Sequence, residues 1–484
     1  MSAWNKTCTA IVGGNVEMEM AAWGFCLFVG LSIVFWTLAL RVKRWCELPS
    51  IRVGPLEVFR NYYGMSILEF HHENARRAKA CGETCWSIGL AHDTRVIGTV
   101  DSEVVRHALV SRFENYDKGP RWREIFKELL GNGIFNADGE AWRRQRKIAS
   151  YEFSKRRLRE FATRVVEENA AKLLEELPGT VDAQVLFSRY TFRVIGEVGF
   201  GVAVDDSEAV AFDEATRLSA SRFVDPFWRL KRIFNVGTER QLAEAVRGVR
   251  DFAGRVIREA PKDGADILSL YYRRGERKLL VDVVVNFLLA GRDTTANLLT
   301  WALVRLAEHP DIVARLREGN DPDYVKAVLT EVLRLHPSVH SDFKTANQDD
   351  LLPGGVPIKR GERIMFCTWS MGRQPDLWGP NCLEFDPSRH LDRRGGGGGG
   401  GEFRPPKVEV FPAFHAGPRL CLGKDLAYIS AGKLLVDLLT KFDFELLVPP
   451  DEVRYDNGMT LWVQGGLPVK FTSRRRRRRA DSSS

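Results

Sequence analysis

The sequence FHAGPRLCLG places Cys421 among glycines, a cation and an aromatic ring. A helical segment follows Cys421, so backbone N–H groups and the positive end of a helix dipole would favour its thiolate. Gly417 and Gly423 would let the backbone approach a large flat group, and Arg419 would pair with a carboxylate. Phe414 offers an aromatic face. These features together suit a haem, with iron on sulfur and a propionate on arginine.

A second group of reactive side chains interrupts a long apolar stretch over residues 278–310, KLLVDVVVNFLLAGRDTTANLLTWALVRLAEHP. The stretch is apolar on most faces, which predicts one long buried helix. In its middle, five successive residues interrupt the apolar pattern: Gly291, Arg292, Asp293, Thr294 and Thr295. Polar groups in a core cost free energy unless something uses them. We therefore expect this turn of the helix to serve chemistry inside the molecule.

The motifs, in their order along the chain, resemble those of the cytochrome P450 monooxygenases. The pattern Phe-x-x-Gly-x-Arg-x-Cys-x-Gly of that family's haem-binding signature is matched in full by the cysteine loop. Four further segments resemble family motifs: WRRQR from Trp142, AGRDT from Ala290, EVLR from Glu331 and FDPSRH from Phe385. The resemblance covers about residues 50–472. It implies a mainly α fold with a large helical region and a smaller β-rich region.

The resemblance also implies roles for these residues. Cys421 would be the axial thiolate of the iron of haem b, Asp293 would relay protons, and Thr294 would hydrogen-bond at the oxygen-activating position. Gly291 would leave a gap that admits oxygen and water. A helical threonine can instead bond the carbonyl four residues earlier. The residues implied to contact the haem are Trp142, Arg146, Ala290, Gly291, Phe414, Gly417, Arg419 and Gly423.

An ion cluster is implied on the side of the haem that holds the cysteine. Glu331 and Arg334 are three residues apart on one helix and can pair directly. Arg389, from the FDPSRH segment, would join them. A surface salt bridge is the plainer interpretation, and such a bridge would be worth little. The family resemblance favours a buried scaffold that holds the cysteine loop and does no chemistry.

Monooxygenation consumes O₂ and two electrons, and the sequence shows no domain that would supply the electrons. It has no G-x-G-x-x-G nucleotide motif after a strand and no flavin domain. By resemblance to membrane-bound members of the family, we expect a separate NADPH-dependent flavoprotein reductase as partner.

Three longer stretches, residues 133–154, 222–239 and 378–391, resemble the plant-type subgroup that hydroxylates fatty acids at the chain end. The sequence therefore predicts a haem-thiolate monooxygenase acting on long-chain fatty acids. His340 stands where that subgroup usually has proline. Residues that could line the pocket are Phe287, Ser338, Val339, His340, Thr460 and Leu461.

Other activities remain open at this point. The enzyme could act on another lipophilic molecule such as an alkane or a terpenoid. A different class would be a haem-thiolate protein that binds lipid or gas without turnover, or isomerises peroxides. The intact pair Asp293 and Thr294 argues against both members of that class.

Residues 21–40, AAWGFCLFVGLSIVFWTLAL, contain no charge and are long enough to cross a bilayer. Arg41, Lys43 and Arg44 follow at once, so the positive-inside bias places the remaining chain in the cytosol. A cleaved signal peptide or a buried core helix fits less well. We predict a single-pass endoplasmic reticulum protein with five parts: a lumenal segment 1–20, a transmembrane helix 21–40, a linker 41–55, a catalytic domain 56–472 and a basic disordered tail 473–484.

Composition excludes other classes. The eight cysteines form no regular framework, which argues against a secreted disulfide scaffold. Cys81 and Cys85 have no second ligand pair to make a zinc site. The net charge of +8 includes the six arginines of residues 474–479. The body is therefore nearly balanced, and nucleic-acid binding is not expected. The arginine run could instead contact an anionic membrane, and the glycines of residues 395–401 suggest a surface insertion.

Overall fold

The computed structural model describes residues 52–53, 67–88, 94–153, 156–177, 179–204, 209–223, 225–262, 264, 266–319, 321–392 and 401–474. The predicted transmembrane segment 21–40 lies outside these residues, as do nearly all of the linker and the arginine run after Arg474. Among the residues that are described, no helix is both long and apolar enough to span a bilayer.

The helices of the described chain are α1 (Ile67–Ala80), α2 (Ser102–Arg106), α3 (Gly119–Ile125), α4 (Lys127–Leu130), α5 (Gly139–Phe153), α6 (Arg156–Glu175), α7 (Ala183–Phe200), α8 (Ala209–Ser221), α9 (Trp228–Phe234), α10 (Thr238–Glu259), α11 (Ile267–Arg273), α12 (Leu280–Ala307), α13 (Pro310–Glu318), α14 (Pro322–Leu335), α15 (Thr368–Met371), α16 (Pro375–Trp378) and α17 (Lys424–Lys441).

The strands of the same part of the chain are β1 (Arg52–Val53), β2 (Cys85–Ile88), β3 (Val96–Thr99), β4 (Tyr116–Asp117), β5 (Gly179–Asp182), β6 (Asp342–Ala346), β7 (Asp350–Leu352), β8 (Val356–Ile358), β9 (Arg363–Phe366), β10 (Leu391–Asp392), β11 (Glu402–Phe403), β12 (Phe442–Leu446), β13 (Tyr455–Asn457), β14 (Leu461–Val463) and β15 (Pro468–Ser473). Helices dominate, as the sequence predicts, and the strands form small sheets.

The long helix α12 joins two hydrophobic cores. Its first half, including Val284 and Leu288, packs into a core formed with α7, α8, α10 and α11. Its second half, including Leu299 and Leu303, packs into a core formed with α6, α7, α14 and α17. The polar turn that contains Asp293 lies between these two halves. A residue on this turn is therefore enclosed by packed helices on both sides.

The ends of α12 are set by local sequence. The helix is shorter than the 278–310 stretch suggests, because a 3₁₀ turn over Arg277–Leu279 precedes it. Pro310 cannot continue the helix and instead occupies the first turn of α13, where its missing N–H costs nothing.

The largest sheet contains six strands in the order β1-β2-β3-β9-β6-β4. The sequence predicts a hairpin within GGVPIKRGERIMF, but β8 and β9 do not pair. Strand β8 pairs with β7 across Gly354 and Gly355, whose φ values are 82° and 77°. Strand β9 instead lies between β3 and β6.

A second predicted hairpin, in MTLWVQGGLPVK, is also wrong. Gly465 and Gly466 do make the turn, with φ values of 79° and 84°. The strands on either side of it separate, because β14 pairs with β13 whereas β15 pairs with β12 and β5. Ser473, which the sequence analysis placed in the tail, closes strand β15, and Arg474 Nε lies 3.8 Å from Asp443 Oδ1.

Candidate functional site

The cysteine loop consists of two 3₁₀ turns, Pro412–Phe414 and Gly417–Arg419, followed by α17. Helix α17 begins at Lys424, three residues after Cys421, slightly later than the sequence suggests. The backbone N–H of Cys421 donates to the Phe414 carbonyl at 2.9 Å, which closes the loop. Leu422 packs against the small apolar cluster that contains Trp142. The loop is thereby fixed between α5 and α17.

The Cys421 side chain is accessible, yet protein surrounds it at short range. A side chain that lines an internal space is both accessible and surrounded by protein, so Cys421 lines such a space. Burial raises the pKa of the Cys421 thiol. Backbone N–H groups of Gly423 and Lys424 and the positive charge of Arg146 act in the opposite direction. The groups that favour the thiolate are thus present, as predicted, but the effect of burial on the pKa outweighs them. A bound metal ion would have to complete the deprotonation of Cys421.

The two glycines of the loop have different uses. At Gly417, φ is 61° and an added Cβ would lie 2.0 Å from the Leu109 carbonyl oxygen, so only glycine fits there. This close approach is to the protein's own backbone, which corrects the expectation that Gly417 faces a flat ligand. At Gly423 an added Cβ would meet nothing within 4 Å. Gly423 therefore borders open space next to the cysteine.

Cations lie close to the cysteine loop. Arg419 is buried, donates to Asp138 Oδ1 at 2.8 Å and to the Ala137 carbonyl at 3.1 Å, and stacks 4.5 Å from the Trp142 ring. Its Nε has no hydrogen-bond partner among the described residues. Burial lowers the pKa of Arg146, whereas the Cys421 charge raises it. Within the described residues, Arg146 is half-buried and makes no hydrogen bond or ion pair.

This arrangement fits a haem. A thiol that faces an internal space, an open face at Gly423 and two guanidinium groups with unused donors make the donor set that an iron porphyrin with carboxylates requires. The Phe414 ring lies 5.4 Å from the Tyr428 ring and 5.6 Å from Lys424 Nζ, so it supports the loop from the α17 side. The residues present therefore match the predicted cofactor.

The polar turn of α12 borders a space as well. Ala290, Gly291 and Thr294 are partly exposed, although most of the helix around them is buried. The Thr294 hydroxyl donates to the Ala290 carbonyl at 2.8 Å, the local bond that the sequence analysis held as the alternative. The hydroxyl oxygen keeps its lone pairs and can accept another hydrogen bond. Ser338 Oγ donates to the Thr294 carbonyl at 2.6 Å.

Gly291 does not leave the predicted gap for oxygen and water. A Cβ added at Gly291 would lie 2.5 Å from Ile195 Cγ1 of α7. The space above the glycine is thus filled by the Ile195 side chain, and the glycine allows α7 and α12 to pack closely. The two helices also share a hydrogen bond from Thr191 Oγ1 to the Arg292 carbonyl, at 2.9 Å. The glycine therefore serves helix packing.

Asp293 is buried beside a cation. Its Oδ1 lies 3.2 Å from Arg292 Nη1, and its side chain is 3% exposed. Burial raises the pKa of Asp293 to about 6. The Arg292 charge lowers it, and the negative charge of Asp213 raises it. A carboxyl group with such a pKa can both hold and release a proton near neutral pH.

The predicted ion cluster is present and buried. Glu331 receives two hydrogen bonds of 2.7 Å from Arg334, and neither side chain is exposed. Arg389 Nε lies 3.4 Å from Glu331 Oε1. Burial opposes ionisation of Glu331, but hydrogen bonds from Arg334 and His390 outweigh it and hold its pKa below the usual range. The surface salt bridge is excluded by this burial.

His390 is a member of the cluster that the sequence analysis missed. Its Nε2 lies 2.9 Å from Glu331 Oε2, and the ring is 1% exposed. The residue was visible as the last position of the FDPSRH segment. Arg334 also donates to the carbonyl oxygens of Gly372, Cys382 and Glu384. The cluster thus ties α14 to the segments on both sides of α16.

Five of the six predicted pocket residues lie in two short segments, residues 338–340 and 460–461. Ser338 and Leu461 are joined by a backbone hydrogen bond of 3.0 Å, and His340 Nε2 lies 3.2 Å from the Gly458 carbonyl. Thr460 lies beside Leu461 and is 8% exposed. Through Ser338 this pair of segments contacts the Thr294 turn. Val339 is 37% exposed and is the member of the set most open to a ligand.

Two of the predicted pocket residues point into packed cores. Leu461 is fully buried against Leu68, Cys367 and Trp369, so its side chain does not line a space. Phe287 is 7% exposed and belongs to the core of the first half of α12. Core packing, not lining of a pocket, therefore describes both side chains.

Comparisons with known proteins agree with this site. The family model for cytochrome P450 matches residues 54–470 of the chain. Cytochrome P450 94C1 of Arabidopsis thaliana is 35% identical over 430 residues, which cover 79% of this chain and 86% of the relative. Cytochrome P450 94A2 of Vicia sativa is 34% identical, with 78% and 82% covered. Cytochrome P450 704C1 of Pinus taeda is 36% identical, with 78% and 84% covered.

Proposed function

This chain belongs to the cytochrome P450 family and is a monooxygenase, and we propose that it hydroxylates long-chain fatty acids at or next to the methyl end. A haem with an axial thiolate supplies the activation of molecular oxygen when it is bound. The protein supplies the ligand, the electrostatic setting and the protons.

In this proposal Cys421 binds the iron, and Arg146 and Arg419 bind the haem carboxylates with their unused donors. Asp293 holds a proton on its carboxyl group and passes it towards the Thr294 hydroxyl, which is partly exposed one residue along the helix. The contact between Ser338 Oγ and the Thr294 carbonyl keeps that turn in place. Trp142 supports Arg419 by stacking.

The observation that carries the substrate proposal is the position of the stretches that resemble fatty acid hydroxylases. Residues 133–154 include α5 with Trp142 and Arg146, and residues 378–391 include Arg389 and His390 of the ion cluster. The first stretch therefore contributes to the surroundings of the cysteine, and the third contributes to the buried ion cluster. The three named relatives are plant proteins, which is consistent with the plant-type resemblance.

Physical chemistry then orients the substrate. Burying an unpaired carboxylate is very costly, so a fatty acid would keep its carboxylate near the mouth of the pocket and present its methyl end to the reacting centre. Val339, open and apolar, lies one residue from the Ser338 contact with the Thr294 turn. We propose that Val339 and His340 confine the last carbons of the chain.

We also propose that electrons reach the enzyme from a separate NADPH-dependent flavoprotein reductase. The proposed location is the endoplasmic reticulum membrane, with residues 21–40 as anchor and the catalytic domain in the cytosol. The apolar, uncharged composition of residues 21–40 and the basic residues directly after them support this location.

The test is turnover by purified enzyme with reductase, NADPH and a substrate panel, with products identified by mass spectrometry. We expect hexadecanoic and octadecenoic acids to be hydroxylated on the terminal carbon or its neighbours. Oxidation next to the carboxylate would contradict the proposed orientation. Good turnover of an alkane or a terpenoid without fatty acid turnover would contradict the proposed substrate. If reduced enzyme binds all of these lipids and converts none, a binding protein without turnover is indicated.

A further inference from the structure

The Arg292 guanidinium is shared between two carboxylates of different exposure. Its Nη1 and Nη2 atoms bond the two oxygens of Asp213 on α8 at 2.5 and 3.0 Å, which is a bidentate pair. The same Nη1 lies 3.2 Å from Asp293 Oδ1, a single and longer contact. The Asp213 side chain is 51% exposed, whereas Arg292 and Asp293 are buried. Of these two carboxylates, the more exposed one, Asp213, therefore makes the stronger contact with Arg292.

Two aromatic rings also lie near the Arg292 guanidinium. Its guanidinium carbon lies 5.9 Å from the Phe192 ring of α7 and 6.0 Å from the Trp462 ring of β14. These aromatic neighbours carry no charge, and the Thr191 hydroxyl of α7 contacts the backbone carbonyl of Arg292, not its guanidinium. The charges that act on Asp293 are those of Arg292 on its own helix and Asp213 on α8.

We infer that Asp213 is a positioning residue for proton delivery: by engaging both outer nitrogens of Arg292, it prevents the guanidinium from closing on Asp293. The inference rests on the proton-relay role proposed above for Asp293. Without the Asp213 carboxylate, the bidentate contact to Nη1 and Nη2 is lost, and the guanidinium can turn towards Asp293. A carboxylate locked in such a pair holds no proton and exchanges protons poorly.

The effects of the two neighbouring charges on the pKa of Asp293 agree in direction with this role of Asp213. The Asp213 charge raises the pKa of Asp293, and the Arg292 charge lowers it. Removing the Asp213 charge takes away an influence that raises the pKa of Asp293 and keeps the Arg292 charge that lowers it, so the ionised form of Asp293 is favoured and its pKa falls. At neutral pH a smaller fraction of Asp293 would then carry a proton. The result is slower proton supply with an unchanged haem pocket.

The direct test is an infrared pH titration of the holoenzyme. The protonated-carboxyl band of Asp293 is identified by its loss in Asp293→Asn and is then followed in the other variants. We expect this band to titrate at lower pH in Asp213→Asn than in the wild type, and at the wild-type pH in Asp213→Glu. Asp213→Ala provides a second variant without the charge. Haem content and lipid-binding spectra check that each variant is folded.

The matched control is Glu214→Gln on the same helix. Glu214 pairs with Arg217 at 2.7 Å, and both side chains are exposed, so this change removes a neighbouring negative charge outside the Arg292 network. We expect no shift of the band. An unshifted band in Asp213→Asn, or an equal shift in Glu214→Gln, would overturn the inference.

A turnover measurement separates this inference from the proposed function. With a converted substrate, Asp293→Asn should lower the rate of product formation by about 10²-fold or more and should lower product per NADPH. Asp213→Asn should lower both in the same direction by less, with more peroxide released. If Asp293→Asn leaves coupling unchanged, the relay role and this inference both fail. If no fatty acid is converted but the infrared shift is observed, the inference holds and only the substrate proposal fails.

Discussion

His415, directly after Phe414 in the cysteine loop, has φ 63° and ψ −171°. This region of backbone conformation is essentially restricted to glycine and costs a residue with a side chain about 1–3 kcal/mol. The loop offsets part of that cost. The His415 ring accepts a 2.8 Å hydrogen bond from the Ala416 N–H, and its Nε2 lies 3.4 Å from Asp342 Oδ2. Side-chain contacts thus hold a conformation that the backbone disfavours.

We expect His415→Gly to separate the strain from those contacts. The matched control is His415→Ala, which removes the same ring but keeps a Cβ at positive φ. Glycine should be more stable than alanine by about 1 kcal/mol or more, measured by thermal unfolding of the holoenzyme. Equal stability of the two variants would mean that no strain is stored at this residue.

The sequence alone could not reveal the long-range contacts made by three residues: Asp213, Arg292 and His390. Arg292 and His390 lie inside recognised motifs, but their partners come from other elements. Asp213 is an ordinary acidic residue of an amphipathic helix, and nothing in its local sequence marks it. Only the tertiary fold brings α8 close enough to α12 for Asp213 to reach Arg292. Residues whose role depends on a long-range pair give no local signal.

At the scale of elements, helices were predicted more reliably than strand pairing. Long apolar periodicity predicts α12 to within a few residues of its ends, because a proline and a 3₁₀ turn set those ends locally. Strand pairing depends on distant segments. The glycine turns before β9 and before β15 are real, yet the strands around them pair elsewhere. A turn signal in the sequence specifies where the chain reverses, but it does not specify which strand the next strand will pair with.

The contact between α7 and α12 gives a prediction for Gly291. Alanine is favoured over glycine by about 1 kcal/mol in a helix, but here its Cβ would overlap Ile195, and overpacking typically costs about 1–3 kcal/mol. We therefore expect Gly291→Ala to destabilise the protein in chemical unfolding. Adding Ile195→Ala removes two of the three close contacts, so the double variant should lose less than the sum of the single changes. Additive losses would contradict the packing role.

The buried cluster around Glu331 gives a second prediction for the elements. Glu331→Gln leaves Arg334 buried without a charged partner and should cost about 3–5 kcal/mol of unfolding free energy. The control is Asp443→Asn, which breaks the exposed pair with Arg317 and should cost about 1 kcal/mol or less. Similar losses in both variants would mean that the buried cluster adds no more stability than a surface pair.

The pH dependence of that cluster has a definite sign. The pKa of Glu331 is held below its ordinary value of 4.5 in the folded protein. The ion pair therefore contributes its full stability above the unfolded-state pKa, and that contribution is lost as pH falls through the folded-state pKa. Acid unfolding should be less steep in Glu331→Gln than in the wild type. An unchanged acid transition would show that other carboxylates control it.

The attachment of the whole molecule to a membrane, as proposed above, has two candidate sources. One is the uncharged segment 21–40. The other is the surface around α9, where Phe227, Ile233 and Phe234 are more than half exposed beside Lys231 and Arg232. Apolar side chains flanked by cations have the composition of an interfacial membrane contact.

Deleting residues 1–44 should release most of the protein from membranes and leave a haem-binding fold. The described cores begin after this segment, so their packing does not require it. Because the α9 surface remains, we expect complete release only at high salt, which screens attraction to anionic lipids. The measurement is the distribution of the truncated protein after carbonate and salt washes. Full retention in carbonate would indicate a second integral segment.

Strand β15 also governs when the protein can finish folding during synthesis. It pairs with β5, and the Leu467 N–H donates to Asp182 Oδ1 across 285 residues of chain. A nascent polypeptide that carries β5 must therefore wait for most of the chain to leave the ribosome before this edge is satisfied. Contacts so distant in sequence slow folding and expose unpaired edges meanwhile. Production of this protein should thus depend on chaperones and benefit from slow expression at low temperature.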